Sequence, residues 1–228
     1  MNETNLNTGK LYGIGMGPGD EELITLKAMN TIKKCDVIFA PSAREGGEST
    51  ALSIAKNFIS KDKEVIVKHF PMGGKDQKRK IKEASIEIEE KLKLGKNVAF
   101  LTIGDPFIYS TYIYVLEYID ANGYSVETIP GITSFSAAAS ISGETIVIGN
   151  ERLLIIPASQ IEKIRDEKFL VIMKLKKNER EVLDFLEDKG FKYVYVKRAY
   201  REGQQVLRDR DEILENSDYM SLIIAHRD

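Results

Sequence analysis

Val98-Ala99-Phe100-Leu101-Thr102-Ile103 runs directly into Gly104-Asp105-Pro106-Phe107-Ile108-Tyr109-Ser110-Thr111. The first run is apolar and β-branched enough to read as a buried strand, and Gly-Asp-Pro marks its end. A tight turn, a carboxylate and the expected N-terminus of a helix over 107–121 then meet at the carboxyl end of a strand. Open α/β sheets bind small ligands at such points. Two other segments have the same form. Tyr12-Gly13-Ile14-Gly15-Met16-Gly17-Pro18-Gly19-Asp20 and Ile129-Pro130-Gly131-Ile132-Thr133-Ser134 each join a strand to a helix. Three small-residue turns at strand-to-helix junctions point to one composite site.

Working outward, the hydrophobic period switches repeatedly between 2 and 3.6, which predicts alternating strands and helices. Strands are expected at 11–16, 37–40, 64–70, 98–103, 126–129, 153–156, 169–175, 193–198 and 219–226. Asp20 is placed to cap a helix carrying Leu23, Leu26, Met29, Ile32 and Cys35 at helical spacing. Further helices are expected from Ser49 or Thr50 to Ile59 and over 77–94, 133–142 and 179–189. The fold class is α/β. The expectation is two α/β domains, 1–124 and 125–228, divided after Asn122-Gly123, with a cofactor and substrate cleft between them.

The 228 residues suffice to bury a substantial core. With 33 basic and 35 acidic residues the net charge is −2, too even to draw in nucleic acid or an anionic membrane at long range. A polyanionic ligand would need a local basic patch. The single cysteine, Cys35, excludes an internal disulfide, and no Cys/His grouping has zinc spacing, so no metal site is expected. The first ten residues are polar and no apolar run approaches the ~20 residues of a membrane span, which makes the expected location cytoplasmic.

The motifs also have plainer readings. The run at 13–19 lacks the Gly-x-Gly-x-x-Gly spacing of a dinucleotide loop, so its glycines mark close approach by a ligand or by another segment. Asp105 is sufficiently explained as a helix cap, and so are Thr133 and Ser134. Met173 and Leu222 read as core. Arg44, Lys68, His69, Lys75, Arg79, Arg198 and Arg201 fall in or near expected loops, where solvated surface charge explains any one of them.

Taken together, Gly-Asp-Pro-Phe-Ile-Tyr-Ser-Thr, the 13–20 turn, Pro130-Gly131-Ile132-Thr133-Ser134, Ala40-Pro41 and Phe70-Pro71-Met72 resemble the tetrapyrrole methylase family. Within it they resemble the branch that methylates C20 of precorrin-2 or cobalt-factor II in cobalamin biosynthesis. The resemblance runs from about residue 10 to the C-terminus. It departs at Glu21, where the family has proline. It implies S-adenosylmethionine as cofactor, a small tetrapyrrole as substrate, no nucleic-acid or membrane partner, and a homodimer. The cofactor positions it implies are Pro41, Gly104, Asp105, Ile108, Thr133, Ser134, Met173, Lys174, Ala199, Tyr200, Leu222 and Ile223. On the substrate side it points to Gly17 and Asp20, with His69, Lys75 and Arg79 as partners for ring carboxylates. No residue stands out as a catalytic base. Other precorrin methylases, diphthine synthases and rRNA methyltransferases share the general pattern, and a non-catalytic tetrapyrrole carrier is the alternative outside enzymes.

Overall fold

The computed structural model describes residues 8–71, 75–175 and 177–228, and of Lys75 the backbone alone. The chain divides into two compact units, Met1–Thr133 and Ser134–Asp228. Each has its own sheet.

In the first unit, β1 (Leu11–Gly15), β2 (Val37–Ser42), β3 (Glu64–His69), β4 (Val98–Thr102) and β5 (Val126–Ile129) form a sheet in the order β3-β2-β4-β1-β5. Every pairing is parallel. The division at 133/134, and not at 124/125, follows from β5. It pairs with β1 from Leu11 opposite Val126 to Ile14 opposite Ile129, and so completes the first sheet.

Helices α1 (Leu26–Lys34), α2 (Thr50–Ala55), α3 (Lys75–Lys93) and α4 (Tyr112–Ala121) cover this sheet from both sides. Alternate residues of β4 make the separation visible. Val98 and Phe100 pack with Ile81, Ile88 and Leu92 of α3 and Val115 and Ile119 of α4. Ala99 and Leu101 pack with Ala28 and Ile32 of α1 and Ala51 and Ile54 of α2. Both faces of a parallel sheet are buried, so β4 is a continuous apolar run without alternation.

Two helices differ from the sequence expectation. Asp20 caps only a short 3-10 turn, Glu21–Leu23, and α1 starts separately with Thr25 accepting from the Ala28 amide at 3.1 Å. Its buried face is Ala28, Thr31, Ile32 and the adjoining Cys35, while Leu26 is 76% exposed. Small residues seat this helix on the sheet, and the Thr31 hydroxyl is satisfied by the Lys27 carbonyl at 2.7 Å. The helix expected from 107 begins only at Tyr112, because residues 105–111 form a separate turn in which Tyr109 has φ +50°.

The second unit carries β6 (Leu153–Pro157), β7 (Phe169–Met173), β8 (Lys192–Lys197), β9 (Gln205–Leu207) and β10 (Ser221–His226) in the order β6-β7-β10-β8-β9. Only β6 and β7 are parallel. Helices α6 (Glu179–Asp188) and α7 (Arg210–Glu215) pack on one face through Leu183, Leu186 and Ile213 against Leu170, Ile172, Tyr195 and Ile223. Helix α5 (Ser134–Ser142) packs on the other through Ala138 against Val194, Val196, Leu222 and Ile224. No helix among the described residues is long and apolar enough to cross a membrane.

Candidate functional site

The first sheet has its topological switch point between β4 and β1. The chain leaves β1 toward α1 on one face, and leaves the neighbouring β4 toward α4 on the other. A crevice opens where adjacent parallel strands send their connections to opposite faces. All three turns singled out in the sequence belong to this edge. Gly17 and Gly104 form an isolated antiparallel bridge, with the Gly104 amide donating to the Gly17 carbonyl at 2.7 Å. Both take left-handed backbone, φ +73° and +70°, which only glycine adopts without strain.

Asp105 ties the second turn to the third. Its Oδ1 accepts from the Phe107 amide at 2.9 Å and its Oδ2 from the Gly131 amide at 3.1 Å. It therefore acts as a clasp between loops and does not cap the following helix, where Ser110 Oγ accepts from the Tyr112 amide at 3.0 Å. Ile108 closes the same turn by donating its amide to the Asp105 carbonyl at 3.2 Å.

Two glycines of the first segment, Gly13 and Gly15, are backed by other parts of the protein. A Cβ on Gly13 would lie 2.0 Å from the Tyr112 ring, and one on Gly15 would lie 2.5 Å from the Gly131 amide nitrogen. Tyr112 is fully buried and shares a 2.7 Å hydrogen bond with Thr128 Oγ1. Thr102, two residues before Gly104, is buried with its hydroxyl lacking any partner. Buried polar atoms are nearly always paired, so an orphan hydroxyl at a switch point is suited to a polar ligand. The sequence reading did not single out Thr102 or Tyr112. For Tyr112 the signal was present in Gly13, which has to be small to admit its ring.

The other expected positions fall into groups. Pro41, half-buried, lies one residue from the carboxyl end of β2, opposite Lys68 of β3. Asp20 is engaged by the Glu22 amide at 2.9 Å. Thr133 ends the first unit and Ser134 starts α5. Within the second unit, Met173, Ala199 and Leu222 lie together on the α5 side of the sheet, and Met173 is opposite Leu222 in the ladder. Ile223 faces the other way, fully buried with the α6 cluster, so its side chain is not brought to that group. Lys174 and Tyr200, at φ +58° and +56°, follow the ends of β7 and β8, as does Arg198 at φ +50°. Such backbone strain in non-glycine residues collects at binding sites.

The basic positions of the first unit that the structure describes are held in different ways. Arg79 is exposed and held by Glu83 and Asp76 of its own helix at 2.7 and 3.2 Å. The Lys75 side chain and Met72 lie outside the described residues. His69 ends β3 with a buried, unpartnered Nδ1. It borders a cavity of about 710 Å³ along α2 and β3, to which Ser42, Lys56, Val65 and Val67 also contribute. Phe70 is core, edge-on to Phe39 and Phe100, and anchors the segment that follows His69. Burial raises the Cys35 thiol to about 12, which keeps it an unreactive apolar residue. Among the described residues no cluster of three or more His, Cys, Asp or Glu side chains is placed to hold a metal ion.

Residues 10–213 match the family model for tetrapyrrole (corrin/porphyrin) methylases. The chain is 38% identical to a probable cobalt-precorrin-2 C(20)-methyltransferase of Methanocaldococcus jannaschii, over 96% of both chains. It is 30% identical to the cobalt-precorrin-2 C(20)-methyltransferase of Salmonella typhimurium, over 96% of this chain and 97% of that one. Its fold resembles that of the Thermus thermophilus uroporphyrin-III C-methyltransferase solved with S-adenosylhomocysteine. There the TM-score is 0.72 at 19% identity, covering 96% of this chain and 97% of the other. The switch-point turns thus stand in a chain that, over nearly its whole length, belongs to the tetrapyrrole methylase family.

Proposed function

We propose that this protein is an S-adenosylmethionine-dependent methyltransferase that methylates C20 of a precorrin-2-type ring, metal-free or cobalt-bound, in cobalamin biosynthesis. The observation that carries this reading is the end-to-end similarity to two relatives named for that reaction. The residues present suit the cofactor. Gly104 brings backbone close without a side chain, the Thr102 hydroxyl lacks a partner, and the Asp105 carboxylate keeps acceptor capacity beyond its two amide bonds.

When bound, the cofactor supplies an electrophilic methyl group on a sulfonium. In this proposal Gly104, Asp105, Ile108 and Thr133 of the first unit hold it, with Pro41 beside them. In the second unit the resemblance points to Ser134, Met173, Lys174, Ala199, Tyr200, Leu222 and Ile223 as cofactor residues. A meso carbon flanked by electron-rich pyrroles is itself nucleophilic, so the protein's part is alignment, and no covalent nucleophile is required. Gly17, Asp20 and His69 border the ring, while Arg79, already paired, contributes little to it. A cytoplasmic homodimer belongs to the same proposal.

The test is incubation with ¹³C-methyl-labelled S-adenosylmethionine and either metal-free or cobalt-factor II, followed by mass spectrometry and NMR. One labelled methyl at C20 is expected. A methyl at another carbon, or none with either ring, would overturn the assignment.

A further inference from the structure

The turn joining β8 to β9 and the first residue of β9 hold two buried polar atoms without partners, Arg201 Nη1 and Gln205 Oε1. The turn is strained, with Arg198 and Tyr200 both in left-handed backbone, and it is tightly tied. The Arg201 amide donates to the Arg198 carbonyl at 2.9 Å, and the Tyr200 amide donates to Gln204 Oε1 at 2.8 Å. The charges that bear on Arg201 are Arg198 and Asp218. Asp218 is already committed, since its Oδ2 accepts from Arg198 Nε at 2.9 Å and its Oδ1 from the Met220 amide at 2.7 Å. Two guanidinium groups thus share one carboxylate, and Arg198 is the one directly bonded to it. Burial, reinforced by Arg198, pushes the Arg201 pKa down against the pull of Asp218. A cation held out of water with an unsatisfied donor is costly, and an arriving anion removes that cost.

We propose that Arg201 is a carboxylate-binding residue for the substrate, next in sequence to Ala199 and Tyr200 but serving the ring and not the cofactor. The inference rests on the function proposed above for the choice of ligand. Within that reaction two molecules carry carboxylates, and charge separates them. S-adenosylmethionine is a net cation, whose sulfonium and ammonium a surplus of guanidinium repels. The precorrin ring is a polycarboxylate, and the planar fork of arginine matches an acetate or propionate side chain. Arg201, half-buried and in no ion pair among the described residues, is better prepared for this task than Arg79, whose charge is already met on its own helix.

Arg201→Met and Arg201→Lys test the assignment through binding. Cobalt-factor II is titrated by its absorbance in the presence of S-adenosylhomocysteine, and S-adenosylhomocysteine alone by calorimetry. In Arg201→Met the dissociation constant for cobalt-factor II should rise about tenfold or more. Arg201→Lys should recover part of the loss, S-adenosylhomocysteine affinity should be unchanged, and the ligand-free variant should melt no lower than the parent. Weaker S-adenosylhomocysteine binding would assign Arg201 to the cofactor and overturn the proposal. Unchanged ring affinity would overturn it as well. So would a lower melting temperature in both ligand-free variants, which would mark a structural role. Turnover by the unmodified protein checks the underlying reading separately: if it methylates neither ring, that reading fails whatever the titrations return.

Discussion

Asp105 works through both carboxylate oxygens at once, and this makes it the most informative single residue at the switch point. One oxygen holds the turn that ends β4 and the other holds the turn that follows β5, through the Phe107 and Gly131 amides. Asparagine has nearly the same shape but presents a donor at one end. In Asp105→Asn, one of those two amides therefore faces an NH₂ group and loses its acceptor. Hydrogen bonds to charged groups contribute ~1.5–3 kcal/mol, so the urea midpoint should fall by about that equivalent. S-adenosylhomocysteine affinity, measured by calorimetry, should fall with it, because the third turn is no longer held against the second. A variant with parental stability and affinity would show that the clasp is dispensable. The sequence made Asp105 visible but not this role, since an aspartate before proline and a helix reads first as a cap. Only the return of β5 beside β1 brings Gly131 within reach.

The same return of β5 brings together an ion-pair cluster, and there the elements rather than the turns are at stake. Glu127 of β5 accepts from Lys10, just before β1, at 2.9 Å and from Lys27 of α1 at 2.7 Å. Hydrogen bonds from Lys27 and then Lys10 lower its pKa from 4.5 to about 2. A carboxylate depressed in the folded state stabilises the fold above its unfolded pKa, and that contribution disappears as pH falls through the folded value. The parent should therefore be more stable than Glu127→Gln at pH 6, and the gap should close between about pH 4.5 and pH 2. Urea unfolding at pH 6 and pH 3 measures it, and an equal gap at both would disprove the coupling. How far the elements were legible follows from how much each one buries. Strands such as β4 and β10, buried on both faces, announced themselves as apolar runs. Helix α7 buries only Ile213, and β9 spans three half-buried residues, so neither leaves a periodic signal and both were missed. Helix α1 was found, and Ile32 and Cys35 are buried as expected, but Leu26 is exposed. A scale of hydrophobicity favours Leu26 and Met29, whereas close seating on a sheet selects Ala28 and Thr31. The site divides in the same way. Glycines and Gly-Asp-Pro were readable locally, but the orphan atoms of Thr102 and Arg201 arise from long-range burial and carry no local mark.

At the scale of the whole molecule, a net charge of −2 leaves recognition to local groups, and the choice of cofactor becomes a sharp test of the first turn. A run of alternating glycines invites a nucleotide, yet in this fold Gly13 is occupied by the Tyr112 ring and Gly15 by the Gly131 backbone. Those two positions leave no room for a pyrophosphate. The polar site proposed for the cofactor lies instead at Thr102, Gly104 and Asp105, which do not make up the glycine-rich loop and lysine of a diphosphate cradle. A ligand that binds only the folded state at 100 times its dissociation constant adds about 2.7 kcal/mol. For a protein of this size that corresponds to a rise of roughly 5–10 °C in melting temperature. Saturating S-adenosylhomocysteine should produce such a rise, while NADH and ATP at the same concentration should leave the transition where it is. The reasoning is asymmetric in a useful way. Stabilisation by all three would mean that the 13–19 turn opens to phosphates and that its glycines serve a ligand after all. Stabilisation by none would remove the cofactor from the proposed residues. Only the selective response fits glycines that exist to let Tyr112 and Gly131 pack against β1.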